Sequence, residues 1–169
     1  MNIRYCVEFS KSGSARFFGH LDLQALFERL FRRAGLPLSY TQGFHPRMKV
    51  QFEEALPLGW SSDCERVWVE LETTYPAESI GRQLRNHCPE GVRILRAYAW
   101  VGKPKLAREK KFQVSFATAY CKTPKDGFSI QLTSTQGSTP SLKKVLKQFI
   151  GTPLPENMEV RRLALEQYE

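Results

Sequence analysis

The sequence lacks the patterns that bind most common cofactors, and these absences narrow its function. Its four cysteines, Cys6, Cys64, Cys88 and Cys121, lie far apart, so it has neither a CxxC pair nor the closely spaced triplet of an iron–sulfur site. It also has no Walker loop, no GxGxxG after a strand, no HExxH and no GxSxG. We therefore predict no cofactor and no metal, and the usual enzyme classes lose support.

Long apolar runs are also missing. No stretch approaches the roughly 18 apolar residues that span a bilayer, and the first residues alternate like a strand, unlike a signal peptide. Apolar residues make up 41% of the 169, which is enough for a hydrophobic core. We expect a cytoplasmic protein without membrane contact, whose cysteines are reduced thiols.

Acidic side chains are fewer than basic ones. The chain has 25 Lys and Arg against 17 Asp and Glu, a formal net charge of +8. Most of the excess lies in residues 101–169, which contain 12 basic and 6 acidic side chains. A basic balance favours a polyanionic partner such as RNA, although it is also compatible with simple solubility.

Apolar periodicity predicts alternating strands and helices over residues 1–100. The first segment alternates with period two, as a half-buried strand does. An apolar stripe at helical spacing predicts a helix over roughly residues 21–34, ended by Gly35 and Pro37. Further strands are predicted at 38–42, 47–52, 67–71 and 92–100, and a second helix at about 77–87.

The element order predicts an α+β fold. If residues 38–42 and 47–52 form one bent strand around the Gly43–Pro46 corner, the order is βαββαβ. That is a ferredoxin-like sandwich, an antiparallel sheet with two helices on one face. A basic linker, residues 101–111, then leads to a small ββαβ extension. We predict a domain at residues 1–100 and an α+β subdomain at 112–169 that packs on it.

One set of polar side chains surrounds the first helix and the corner. Its members, expected to meet at one end of the sheet, are Arg16, His20, Tyr40, Gln42, His45, Arg47 and Lys49. Histidine exchanges protons near neutral pH and Arg or Lys can hold phosphate charge, so metal-independent RNA cleavage is one interpretation. Ligand binding without catalysis is another, and we expect it. In a third, His20 satisfies backbone groups at the helix start and His45 only occupies a corner.

Two further surfaces have a composition typical of RNA binding. Outward positions of the predicted sheet carry Arg4, Arg47, Lys49, Arg66 and Trp68, which combine phosphate contacts with a ring for base stacking. The alternative is a solvated face, or a face covered by residues 112–169. The second surface is basic and comprises Lys103 to Lys111, Lys122, Lys125, Lys143, Lys144 and Lys147. This basic surface would contact successive phosphates of an RNA backbone, or it would be a solvated linker.

A long motif carries a resemblance to a known family. The run RYCVEFSKSGSARFFGHLDLQALFERLFRRAGLPLSYTQGFHPRMKVQF, followed by ALPLGWSSDCERVWVEL, resembles the radical-SAM-linked family of uncharacterised bacterial proteins. The resemblance covers roughly residues 3–100. Positions on the family pattern are His20, Leu21, Asp22, Gly35, Leu36, Pro37, Tyr40, Gln42, Gly43, Phe44, Pro46 and Lys49. This chain has His45 where the family usually has Asn, which leaves His20 as the better catalytic candidate.

The resemblance implies a domain fused to, or encoded beside, radical SAM enzymes. Since the chain has no cluster-binding cysteine pattern, it would be the accessory or substrate-presenting part. The leading hypothesis is an RNA-binding accessory protein that acts with a radical SAM enzyme in tRNA or rRNA modification or ribosome maturation. The alternatives are a metal-independent endoribonuclease using His20 with Arg16 or Lys49, and a protein–protein adaptor for a radical SAM enzyme.

Overall fold

The computed structural model describes residues 3–54, 56–104, 109–116, 128–133, 142–150 and 158–166. The first part contains β1 (Ile3–Lys11), a 3₁₀ turn (Gly13–Phe17), α1 (His20–Arg33), β2 (Val50–Phe52), β3 (Ser61–Leu71), α2 (Ala77–Arg85) and β4 (Val92–Trp100). The second part contains β5 (Glu109–Phe116), β6 (Phe128–Thr133), α3 (Leu142–Ile150) and β7 (Met158–Glu166). The predicted α+β class is confirmed.

The seven described strands form one sheet. Its order is β4-β1-β3-β7-β5-β6, and β2 also pairs with β3. β1 is antiparallel to β3 and β4, and β2 is antiparallel to β3. The parallel contact between β3 and β7 is short, with Ser61 opposite Arg161 and Ser62 opposite Arg162. The C-terminal strands therefore continue the sheet across a narrow seam.

The main core lies between the sheet and α1 with α2. Alternate residues of β1 and β3 face it, as period two predicts, and meet the apolar stripe of α1. Phe27 is fully buried and its ring lies 4.5 Å from that of Phe9. α1 ends before Gly35, whose φ of +65° is the left-handed conformation that glycine adopts most easily. The contact between Phe27 and Phe9 thus fixes the middle of α1 against the sheet.

A second core joins the two parts of the chain. It contains Leu56, Phe112, Val114, Leu146 and Val160. Trp60 packs against it, with its ring centroid 6.5 Å from that of Phe112. Because Leu56 and Trp60 precede β3, the chain segment before β3 helps to build the core beneath α3.

The strands predicted around the Gly43–Pro46 corner are shorter than expected. Residues 38–42 make only isolated bridges, from Leu38 to Leu71 and from Tyr40 to Met48, and the strand predicted at 47–52 is reduced to β2. Ser39 and Lys49 still bond to the backbone of Glu70 on β3, and beyond them the segment pairs with itself and forms a narrow finger. Pro46 has no N–H to donate, so a continuous ladder cannot run through the corner.

Residues 105–108 of the predicted basic linker and residues 117–127, 134–141, 151–157 and 167–169 of the predicted extension lie outside the described residues. Within the described ranges, no helix has the length and apolar character needed to cross a membrane.

Candidate functional site

His20 lies at the exposed start of α1. The Gly19 N–H donates to the Asp22 carboxylate at 2.9 Å, so the helix start is capped without a histidine side chain. The His20 ring instead lies edge-on to Phe52, with ring centroids 5.5 Å apart. The capping role considered for His20 is therefore filled by Asp22.

Arg16 lies in the 3₁₀ turn before α1, and its guanidinium is directed toward β7. Its Nη1 is 3.2 Å from Oε1 of Glu159 on β7, and its guanidinium lies 4.8 Å from the centre of the Phe17 ring. The Gly59 N–H donates to the Arg16 carbonyl oxygen at 2.9 Å. This end of the molecule also exposes the apolar side chains of Phe17, Leu21 and Leu58.

Residues 42–47 form an exposed loop, here called the Phe44 loop. Its stem is closed by two hydrogen bonds, from the Thr41 N–H to the Arg47 carbonyl oxygen at 2.8 Å and from the Arg47 N–H to Thr41 Oγ1 at 2.9 Å. Leu38 and Met48 are buried at the base. All six loop residues are exposed, and the exposure of Phe44 is 102%. Sequence reasoning did not place Phe44 among the candidate ligand-binding residues.

The structure does not bring all predicted site residues together. Phe52, which contacts His20, ends β2, whereas the Phe44 loop lies before its start, roughly 15 Å away along the chain. Lys49 lies on the opposite face of the sheet from Phe52, with its Nζ 3.2 Å from Oε2 of Glu70. The predicted residues thus occupy three places: Arg16 and His20 at the start of α1, Tyr40, Gln42, His45 and Arg47 on the finger, and Lys49 on the far side of the sheet.

That far side, here called the charged face, carries three rows of side chains across β4, β1, β3 and the segment around β2. The first row is Trp100, Arg4, Glu70 and Lys49; the second is Tyr98, Cys6, Trp68 and Gln51; the third is Arg96, Glu8, Arg66 and Glu53. In the charged positions of both outer rows, cations and anions alternate. Each acid therefore lies between two cations or beside one.

Glu8 is the centre of the third row. It accepts hydrogen bonds from Arg96 Nε at 2.6 Å, Arg66 Nε at 3.2 Å and the Tyr98 hydroxyl at 3.0 Å. Burial alone would raise the pKa of Glu8, but the hydrogen bonds from Arg96 and Tyr98 and the nearby positive charges outweigh it and hold that pKa below the ordinary value. In the first row, Arg4 and Lys49 likewise outweigh burial and lower the pKa of Glu70.

The expectation of an open, base-stacking sheet face is wrong for two of its residues. Arg66 is 6% exposed and Trp68 only 1%. Arg66 Nε is 3.2 Å from Oε1 of Glu8, and the Trp68 ring meets Trp100 edge-on with ring centroids 5.8 Å apart. Trp68 therefore offers no free ring surface to a nucleobase.

A second charged cluster lies buried near the seam between β3 and β7, and the sequence analysis did not predict it. Glu65 accepts a hydrogen bond from Arg162 at 2.9 Å, and Lys11 Nζ donates to the Phe18 carbonyl oxygen at 3.2 Å. Lys110 and Arg162 both pair with Glu54. Burial raises the pKa of Glu65 and lowers that of Lys11. The ion-paired residues of this cluster are 56 to 108 positions apart in sequence, so no local pattern signals the cluster.

α3 presents a basic surface. Lys143, Lys144 and Lys147 are exposed, while Leu146 is buried in the second core. Among the described residues, none of the three lysines has an ion-pair partner, although the cations of the charged face are paired. The remaining basic positions of that predicted surface, from Lys105 to Arg108 and at Lys122 and Lys125, lie outside the described residues.

Comparison with known proteins gives a relationship without an activity. A family model described as "Uncharacterized protein conserved in bacteria (DUF2344)" matches residues 4–158. No curated protein matches the chain. The match covers the buried residues of the main core, the Phe44 loop, α3 and all buried residues of the second core except Val160.

Proposed function

We propose that this chain, which belongs to the DUF2344 family of uncharacterised bacterial proteins, is an RNA-binding accessory protein that acts with a radical SAM enzyme in tRNA or rRNA modification or ribosome maturation. The distribution of charge supports the RNA part of the proposal. The resemblance of residues 3–100 to the radical-SAM-linked pattern supports the enzyme partner. Because the four cysteines form no cluster-binding pattern, the radical chemistry is assigned to that partner.

The observation that carries the proposal is the lysine surface of α3. Helical spacing places Lys143, Lys144 and Lys147 on the outer side of a helix whose Leu146 faces the core. Among the described residues these cations have no acidic partner, so a phosphate that binds them displaces water and counterions. Binding then releases counterions from the RNA and weakens steeply as salt is added.

We also propose a finer assignment of the first part of the fold. The strand neighbours β4-β1-β3 and β3-β2, all antiparallel, together with α1 and α2 in one core, support a ferredoxin-like sandwich for residues 1–100. Such a sheet leaves its second face without helices. In this chain, that second face is the charged face.

The test is the affinity for labelled bulk tRNA and rRNA fragments, measured by fluorescence anisotropy at increasing KCl. We expect the logarithm of the affinity to fall linearly with the logarithm of the salt concentration. The triple variant K143A/K144A/K147A should reduce that slope by about two to three. The matched control is R29A/R32A/R33A, which removes three arginines from the end of α1. No binding at low salt, or binding that salt does not change, would contradict the proposal.

The partner requires a separate test. The tagged full-length chain should co-purify from its native host with a radical SAM enzyme and with RNA. Recovery of the enzyme without RNA, also after crosslinking, would favour the adaptor instead.

The ribonuclease alternative has less support from the geometry. Lys49 lies on the other side of the sheet from His20, and Arg16 is paired with Glu159. Labelled RNA incubated in EDTA with the wild-type chain or with H20A should remain intact in both cases. Cleavage that H20A loses would revive the enzyme hypothesis.

A further inference from the structure

We propose that the Phe44 loop binds an unpaired nucleobase of RNA, with the ring of Phe44 as the stacking surface. This inference rests on the proposed function and names the RNA element that the chain recognises. It assigns a binding role to Phe44. The stacked base would then lie beside Gln42, His45 and Arg47, which are neighbours of Phe44 in the loop.

The exposure of Phe44 is the first argument. Phe9, Phe27 and Phe31 have an exposure of 0%, whereas Phe44 has one of 102%. Phe44 also lies at the tip of a short finger, where no side chain of the described residues shields its ring. Both faces of the phenyl group are therefore open to a planar partner, and base–aromatic stacking requires only one of them.

The stem is the second argument. The backbone of the loop is closed by the two hydrogen bonds between Thr41 and Arg47, and the next pair, the Lys49 N–H to the Ser39 carbonyl oxygen, follows at 3.0 Å. Leu38 and Met48 anchor this stem in the main core. The tip is thus held by a fixed base, which reduces the conformational entropy lost when a ligand binds.

The local charge favours RNA over a protein pocket as the partner of Phe44. No Asp or Glu occurs between Glu28 and Glu53, while Arg47 and His45 are exposed beside Phe44. Glu70, near the base of the finger, is neutralised by Arg4 and Lys49. An aromatic ring flanked by hydrogen-bond donors and positive charge is the combination that holds a splayed base and its phosphate.

The probe is a fluorescent RNA hairpin with an unpaired loop of about eight nucleotides, a length within the usual range of single-strand sites. A fully paired duplex of the same length is the comparison. We expect F44A to weaken hairpin binding roughly 5- to 100-fold and to leave duplex binding unchanged. F44W, which keeps a stacking ring, should retain affinity. F17A removes an exposed phenyl from the 3₁₀ turn before α1 and should also retain affinity.

A second readout reports stacking directly. A 2-aminopurine base in the unpaired loop should lose fluorescence on binding to the wild-type chain and to F44W, and lose much less with F44A. The urea midpoint of F44A should equal that of the wild type, because an exposed tip side chain contributes little to folding.

The outcomes separate the two proposals. If the wild type binds neither RNA, the proposed function fails. If the wild type binds the hairpin and F44A binds it equally well, or if F17A loses as much affinity as F44A, the assignment of the Phe44 loop is overturned while RNA binding stands. If F44A abolishes co-purification of the radical SAM enzyme but leaves RNA affinity intact, Phe44 fits a protein pocket and the inference is wrong.

Discussion

Replacement of Glu8 by glutamine tests whether the charged face holds the sheet together. Glu8 is 4% exposed and links β1 to β3 through Arg66 and to β4 through Arg96. Glutamine keeps the shape but removes the charge, and it turns an NH₂ group toward side chains that are themselves donors. Breaking a buried ion pair in this way costs about 3 kcal/mol, because the buried Arg66 loses much of its compensation.

Urea unfolding measures this cost. With a slope of about 2 kcal/mol per molar urea, the midpoint should fall by about 1.5 M. The pKa of Glu8 is lowered in the folded state, so its stabilising contribution is complete above the ordinary carboxyl pKa of 4.5 and is lost as the pH falls through the lower, folded value. The difference between wild type and E8Q should therefore shrink as the pH falls below 4.5.

Glu72 provides the control because it is exposed just beyond β3. E72Q should change the stability by less than about 0.5 kcal/mol. A midpoint for E8Q equal to that of E72Q would refute the reasoning. So would an E8Q deficit that stays constant well below the ordinary carboxyl pKa, because the charge of Glu8 would then not be its source.

Three further predictions concern a core phenylalanine, two glycines with positive φ and two buried thiols. F27A empties part of the main core and should lower the free energy of unfolding by about 4 kcal/mol in the same urea assay. G91A, at a φ of +84° with its Cβ 2.5 Å from a backbone oxygen, should cost more than about 2 kcal/mol, whereas G102A, at a similar φ with open space, should cost about 1 kcal/mol in the same assay. Burial raises the pKa of the Cys6 thiol to about 12 and that of Cys64 to about 11, so at about pH 8 both should react with Ellman's reagent at least 100-fold more slowly in the folded than in the unfolded chain.

Local patterns predicted the first helix and its core face well. The apolar stripe and the Gly35 terminator place α1 within one residue of its observed bounds at each end. The alternation of β1 likewise predicts that Tyr5, Val7 and Phe9 face the core. These features depend on side chains within one turn or one pleat of each other, which a sequence displays directly.

The burial of the charged face could not be predicted in that way. Alternation tells which side of a sheet Arg66 and Trp68 occupy, but their exposure depends on what stands beside them. Those neighbours, Glu8 on β1 and Trp100 on β4, are supplied by strands 58 and 32 positions away. Phe44 was missed for the opposite reason, because an apolar residue in a short turn gives no sign of whether its ring packs or stays exposed.

If the chain binds RNA as proposed, the pairing of charges on the sheet also predicts where the RNA lies. An arginine already held by a buried carboxylate, such as Arg66 by Glu8, must lose that partner before it can bind a phosphate, and the separation of a buried pair costs several kcal/mol. Lys147 on α3 and Arg47 in the Phe44 loop have no such partner among the described residues, so a phosphate displaces only water and counterions there. Substitution of sheet cations should therefore reduce stability before it reduces RNA affinity, whereas substitution at α3 and the Phe44 loop should do the reverse. A sheet-face variant such as R66M that keeps its fold yet loses RNA binding would show that the charged face, not its surroundings, receives the nucleic acid.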